Sequence, residues 1–342
     1  MMSSDASYAY AKACGIIGKS YLGKRISILS GLHTLSELDR QIFPDLRREL
    51  PGRELLLDLE SRITERAVRQ ILTIVSSYPQ PPELLVRMLK VYEYDDLKVC
   101  LQHMAAGKKN LPSISDIGDF GTVRFEAFPD IKAMVHGTEY DFILPDLKSG
   151  QYESMDIAQV ETKLDAHYYL GLTECLPRLS LEDRTAVQKI LGDEISLRNC
   201  AWALRLRTYY QKSPGETSRH LMNIKFKGEK SPSLAADAAA SLDFHLDSRQ
   251  EWRGWKWEKL LNPEEPSVIW VADPRYFQNA ASQYMYRLAR KNLHRCPMAV
   301  SAVFCFIKLK QYEEDLLTSV AEGLALGIES AGVFKLLEVS AS

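Results

Sequence analysis

Apolar residues recur at helical spacing along most of the chain. Three long runs show this best, at 59–75, 160–176 and 305–327. In each run the apolar residues repeat at steps of three and four, which places them on one face of a helix and charged residues on the opposite face. Strand-like alternation with turn dipeptides is nearly absent. The pattern therefore predicts an all-α protein.

Local signals place several helix ends and loops. The stretches 34–37 and 180–183 have capping-box spacing, in which Thr34 or Ser180 can accept a hydrogen bond from a free backbone amide. Pro177 and Pro297 each divide a long apolar-periodic region into two helices, because proline cannot continue a helix. Glycine, proline and clustered charge predict loops in three segments, 108–124, 213–233 and 261–274.

A weak internal repeat accompanies the helical pattern. Three pairs of long helices follow one another, and the second helix of each pair carries a polar residue followed by an apolar one. These matching positions are Asp96-Leu97, Asn199-Cys200 and Asp315-Leu316. A period of roughly a hundred residues or more is too long for the common helical repeat arrays. The repeat favours three similar helical bundles in one chain, each with its own small core.

Composition is that of a globular protein with no bias toward nucleic acid. Of the 342 residues, 46% are hydrophobic and 26% are charged, and the formal net charge is −2. The six cysteines have no CxxC spacing, which predicts reduced thiols. Residues 1–18 lack a basic start, so we expect no signal peptide. The uncharged stretch 296–307 is shorter than the roughly 18 apolar residues that a membrane helix needs.

The motifs that would carry catalysis or hold a cofactor are absent from the sequence. Neither GxxxxGK[ST] nor GxGxxG occurs, so no phosphate-binding loop is predicted. The acids in 94–98 are followed by Lys98 and by no further acid within a turn, which is a poor match to a magnesium site. Glu161 and Asp165 lie near His167, but the Glu-x-x-His motif of carboxylate-bridged metal sites is missing. We therefore predict no catalytic, cofactor-binding or metal-binding residues.

Four tryptophans are concentrated in one region, together with lysine and arginine. They are Trp252, Trp255, Trp257 and Trp270. Interleaved aromatic and basic residues can stack nucleotides. Anchoring of a core or an interface is the favoured interpretation, because the chain totals show no basic excess to accompany them.

The chain resembles a known family in five stretches, which are 8–13, 140–142, 160–169, 194–199 and 306–313. Their order and spacing are similar to those of the C subunit of bacterial and archaeal V-type ATPases, whose eukaryotic counterpart is the d subunit. The resemblance spans nearly the whole chain, and two departures from the family pattern are Cys200, where leucine is usual, and Asp315, where asparagine is usual.

The resemblance implies an architecture and a role. The expected fold is a funnel of three similar three-helix domains around a pseudo-threefold axis, with domains at 1–115, 116–222 and 223–342. The expected role is that of a non-catalytic rotor component, which is peripheral on the cytoplasmic side and touches the membrane only through the proteolipid ring. It would link that ring to the central-stalk subunits and transmit torque between ATP turnover and ion transport.

The resemblance also suggests where the stalk would bind. The stretches most similar to the family contain polar residues that interrupt otherwise apolar helices, and we expect the helices that carry them to form the wall of a central socket. These predicted partner-interface residues are Glu161, Asp165, Asn199, Arg205 and Lys308.

Two other classes of protein remain open from the sequence. A helical adaptor or scaffold unrelated to rotary ATPases would keep the helices and bind other partners. A helical lyase or synthase would need a deep polar pocket with convergent acids.

Overall fold

The computed structural model describes residues 4–45, 49–146, 157–227 and 232–337. Within these ranges the chain is helical and contains no β-strand, which confirms the all-α prediction. Short 3-10 turns join many of the helices. The α-helices in the described ranges are α1 (Ser4–Ile17), α2 (Leu35–Ile42), α3 (Gly52–Val75), α4 (Glu83–Leu89), α5 (Val91–Ala105), α6 (Ile131–Val135), α7 (Ile157–Cys175), α8 (Leu181–Tyr209), α9 (Pro214–Arg219), α10 (Ala236–Ala240), α11 (Pro274–Leu293), α12 (Val300–Ala325) and α13 (Ser330–Leu336).

The predicted helix breaks occur where the prolines stand. Pro177 lies in a 3-10 turn between α7 and α8, and Pro297 lies between α11 and α12. Thr34 forms a complete capping box with Glu37 at the start of α2. Ser180 caps α8 by accepting a hydrogen bond from the backbone amide of Asp183. These local signals were sufficient because each acts within a few residues of the helix end.

One predicted loop contains a helix. The segment 213–233 was expected to be irregular, but α9 forms at its start. Ser213 caps α9 and Glu216 completes the capping box, while Pro214 occupies the first helical position. Proline is well suited to that position because its missing N–H would have no partner there in any case. The same residues that suggested a loop therefore begin a short helix.

The chain divides into two compact units. The first unit comprises Met1–Pro82 together with Gln278–Ser342, and the second comprises Glu83–Phe277. The predicted division into three domains is finer than this partition, and together with the funnel shape it stays a prediction.

In the first unit, α12 is the central element and packs against α3, α1 and α13. Its core joins Leu59 and Ile63 of α3 to Leu316 and Val320 of α12, all nearly or fully inaccessible to solvent. Burial of such side chains is the main favourable contribution to folding, at roughly 1.5–3 kcal/mol for each large side chain. The N-terminal and C-terminal parts of the chain therefore share one core.

In the second unit, α7 packs against both α4 and α5, and α8 packs against α10. The four clustered tryptophans lie in this unit and are buried, as the core interpretation predicted. Each indole nitrogen donates a hydrogen bond within the fold: Trp252 to the carbonyl of His245, Trp255 to that of Asp237, Trp257 to the hydroxyl of Ser196, and Trp270 to the carbonyl of Asn262. Burying a polar indole N–H is favourable only with such a partner.

Buried polar side chains on three long helices accept hydrogen bonds from backbone amides of non-helical segments. Asp96 of α5 accepts from the amide of Ser115 at 2.8 Å, and Asn199 of α8 accepts from Met222 at 2.8 Å. These are two of the three positions matched by the repeat. The third, Asp315, is exposed, and Glu313 accepts instead from the amide of Tyr21 at 2.7 Å.

Candidate partner-binding surface

Glu161 and Asp165 lie one turn apart on α7, where both contact α5. The Gln102 side-chain amide donates to Glu161 Oε1 at 2.7 Å, and Lys98 Nζ lies 2.7 Å from Asp165 Oδ1. Lys98 also pairs with Asp95 at 2.9 Å. Burial lowers the pKa of Lys98, but these two carboxylates outweigh it, so that its pKa lies above the ordinary value. The acids of α7 therefore form a polar seam with α5.

Asn199 is buried in the second unit, and its side chain is used inside the fold. Its amide nitrogen donates to the carbonyls of Met222 and Leu234, at 3.1 and 3.4 Å, while its oxygen accepts from the amide of Met222. The residue thus attaches the segment after α9 to the middle of α8. If α8 contributes to a partner surface, the role of Asn199 would be to hold α8 in place and not to contact the partner.

Arg205 is the most accessible residue of the predicted set, whereas Lys308 is half-buried, as are Glu161 and Asp165. Arg205 is exposed on α8, with its guanidinium 6.0 Å from the ring of Trp202. Lys308 is half-buried on α12 in the first unit, with its ammonium 5.9 Å from the ring of Phe304. Of the residues predicted in the second unit, Arg205 is therefore the best placed to meet a partner directly.

The first unit also contains a basic cleft that the sequence predictions did not include. We define it by Arg287, Arg290, Lys291 and His294 on or just after α11, all of which are exposed. They line a cavity of about 500 Å³. The sequence signal that could have found it is local, because 278–312 contains six lysines and arginines and no aspartate or glutamate. The balanced total charge concealed this segment.

No metal-binding group emerges from the residues that the structure describes. No cluster of three or more histidine, cysteine, aspartate or glutamate side chains suitable for a metal ion occurs in that part of the chain. In the acidic stretch 94–98, Asp95 pairs with Lys98, whereas Asp96 is buried and bonded to Ser115. The two neighbouring acids thus point to different partners. None of the helices in the described ranges is long and apolar enough to cross a membrane.

Comparisons with known proteins show which sequences this chain is similar to. The family model of the ATP synthase (C/AC39) subunit matches residues 46–332. The chain is 26% identical to an uncharacterized protein of Treponema pallidum (strain Nichols), over 94% of this chain and 92% of the relative. It is 25% identical to the C subunit of the A-type ATP synthase of Thermococcus gammatolerans, over 94% of this chain and 87% of that protein. It is 21% identical to the C subunit of the A-type ATP synthase of Methanosarcina mazei, over 72% of this chain and 67% of that protein.

The family match covers most of the chain, and the two relatives with assigned names share the same name. The matched range includes α3 through α12, and thus all five residues predicted for the partner interface. The chain belongs to the ATP synthase (C/AC39) subunit family, whose members are non-catalytic parts of the complex.

Proposed function

We propose that this protein is the central-stalk rotor subunit of an A/V-type ATPase. It would sit on the membrane proteolipid ring at the cytoplasmic side, receive the central-stalk subunits in a socket, and transmit torque between the two. The observation that carries the proposal is the family match over residues 46–332. Its contact with the membrane would be made only through the ring.

The side-chain contacts are consistent with a part that bears load. A coupling part must move as a body, which requires close packing and helices that do not slide past one another. Lys98 and Gln102 of α5 hold Asp165 and Glu161 of α7 at two points along the helix pair. Bonds of this kind fix the register of two helices more strictly than apolar contact does.

Arg205 provides the test of the proposed stalk surface. Reversing an exposed charge at the edge of an interface mainly slows association and changes its salt dependence. Because Arg205 is exposed, we expect Arg205→Glu to leave the helical fold unchanged and to reduce recovery of stalk subunits with the tagged protein. The measurement is co-purification from membranes, together with ATP-driven ion pumping.

The matched control is Arg219→Glu on α9, because Arg219 is also exposed in the second unit but lies outside the predicted wall. The control should assemble and pump like the parent. Normal assembly of the Arg205 variant would remove that helix face from the proposed socket. If the tagged parent recovered unrelated proteins and no ATPase subunits, the adaptor alternative would replace the rotor proposal.

A further inference from the structure

Positive charge is concentrated in one stretch of the first unit. Residues 278–312 hold six lysines and arginines and no acid, in a chain whose 45 acidic residues outnumber its 43 basic ones. Three of those six line the basic cleft, together with His294. Charge separated in this way creates a local positive potential that the net charge of −2 does not reveal.

The cleft combines these cations with aromatic and backbone surface. Tyr286 and Tyr312 both line it, and their rings are stacked with centroids 4.6 Å apart. The Gln283 side-chain amide donates to the Tyr312 hydroxyl at 2.6 Å. Gly23, in the 3-10 turn that follows α1, also lines the cleft. A cavity of about 500 Å³ is within the usual size range of binding pockets.

Arg290 is held in position within the cleft. Gly23 has a φ of +57°, and a Cβ added there would lie 3.4 Å from the Arg290 guanidinium nitrogens. The guanidinium therefore packs directly against backbone that lacks a side chain. Arg290 Nη1 also donates to the Tyr286 hydroxyl at 3.3 Å. Positioning a cation before a ligand arrives reduces the entropy lost on binding.

Stabilisation of the helix end explains only part of this arrangement. Arg290 and Lys291 are in the last turn of α11, where positive charge is favourable beside the carbonyl end of a helix. Arg287 precedes that turn and His294 follows the helix, yet both line the same cavity. Within the described ranges, neither Arg290 nor Lys291 forms an ion pair with a carboxylate. The positive charge of the cleft is therefore available to an external anion.

We propose that the basic cleft binds an acidic, carboxylate-rich peptide segment of a partner protein in the complex. From Arg287 to Lys291 the cations extend over about 6 Å at the helical rise per residue, and the exposed His294 continues the row, which suits neighbouring carboxylates along a peptide. Compact phosphate sites usually use backbone amides at a helix N-terminus, whereas this cleft is built on the C-terminal half of α11. The inference rests on the proposed function, because the segment is taken to belong to the same assembly.

The probe is a fluorescein-labelled peptide of consecutive glutamates, titrated with the full-length protein and followed by fluorescence anisotropy. We expect saturable binding that weakens about tenfold or more in Arg287→Glu/Lys291→Glu, since charge reversal replaces attraction with repulsion. The matched control is Arg53→Glu, an exposed arginine on α3 of the same unit. Circular dichroism and thermal unfolding establish that all three proteins are folded alike.

Three results would overturn the assignment. One is binding of the peptide to the double variant as tightly as to the parent. Another is tighter binding of inorganic tripolyphosphate than of the peptide, measured by calorimetry, which would make the cleft a phosphate site. The third is co-sedimentation of the parent, but not the double variant, with phosphatidylglycerol vesicles, which would assign the cleft to a lipid surface.

Assembly experiments separate this inference from the proposed function. If the tagged parent fails to recover other ATPase subunits, the proposed function fails, whatever the peptide titration shows. If the parent recovers them and Arg287→Glu/Lys291→Glu recovers them equally at low salt, where charge contacts are least screened, the cleft makes no contact with other subunits and the inference is wrong. Loss of recovery in the double variant, with normal recovery in Arg53→Glu, supports it. Salt is kept low because screening would weaken the charge contact in the parent as well.

Discussion

Three buried polar side chains each anchor one non-helical segment of this protein. Each of them accepts a hydrogen bond from a backbone amide that lies outside the helices and so has no intrahelical partner. The three side chains are those of Asp96, Asn199 and Glu313. Leaving such an amide buried and unpaired costs roughly 1–3 kcal/mol. The sequence identified Asp96 and Asn199 as matching positions. For the third position the repeat pointed to Asp315, whereas the buried acid is Glu313. Periodicity alone does not show which of two nearby acids faces the core.

The pH dependence of stability should reveal the burial of Asp96. Burial raises the pKa of its carboxyl to about 7, against the hydrogen bonds from Ser115, which lower it. A carboxyl with a raised folded-state pKa contributes stability that is fully present below its unfolded-state pKa of about 3.9 and is lost as pH rises through the folded value. We therefore expect Asp96→Asn, which has no such ionisation, to become more stable relative to the parent between about pH 4 and pH 7.

Urea unfolding at several pH values across that window measures this difference. The matched control is Asp95→Asn, because Asp95 is exposed on the neighbouring position of the same helix. Its pairing with Lys98 should be lost in the control without a gain in relative stability as pH rises. An Asp96→Asn effect that is constant with pH would show that the carboxyl has the same pKa in the folded and unfolded chains.

At the scale of helices, the sequence predicted where elements begin and end better than how closely they approach. Proline and capping residues act locally, so the boundaries at 175–181 and 293–300 were predictable. The indole partners of the tryptophans were not, since Ser196 is 61 residues from Trp257. The close contact of α13 with Gly323 of α12 could not be predicted from the sequence either. In the sequence Gly323 is one more small residue in a helical stripe, yet the structure gives it a specific steric role.

Gly323 allows α13 to pack closely on α12. A Cβ at this position would overlap the Cγ2 methyl of Val333, a buried β-branched side chain with little freedom to move. We expect Gly323→Ala to lower the free energy of unfolding by about 1–3 kcal/mol, the usual cost of overpacking. Thermal and urea unfolding of the purified protein measure the change.

Gly15→Ala is the matched control for that prediction. Gly15 lies in α1 of the same unit, and no atom outside the adjoining backbone of its own helix lies within 4 Å of an added Cβ. Alanine favours a helix over glycine by roughly 0.5–1 kcal/mol, so this variant should be slightly more stable than the parent. Equal and stabilising effects at both positions would mean that α13 is not packed against Gly323 in solution.

For the whole molecule, pattern and motif order were enough to identify the helical class and the family, and both are confirmed. The division into units was beyond their reach. A sequence period reports on residues that are close together along the chain. The first unit instead combines residues from the N-terminal and C-terminal parts of the chain, with Leu59 of α3 and Val320 of α12 in one core. Contacts between segments more than two hundred residues apart leave no local signal. The basic cleft was not predicted because the net charge of the whole chain does not show that lysine and arginine are concentrated in one segment.

This partition predicts how fragments of the chain should behave. The second unit, Glu83–Phe277, is continuous and carries its own buried residues, including the tryptophan cluster and the α5–α7 seam. A fragment of residues 83–277 should therefore fold alone, with a helical circular dichroism spectrum and a cooperative urea transition.

A fragment of residues 1–82 should not fold alone, because the α3 face containing Leu59 and Ile63 would lose its contacts with α12 and be exposed to water. Adding 278–342 to that fragment as a separate chain should restore helical signal and a cooperative transition. Independent folding of 1–82 would contradict the shared core of the first unit. Failure of 83–277 to unfold cooperatively would contradict the independent folding of the second unit.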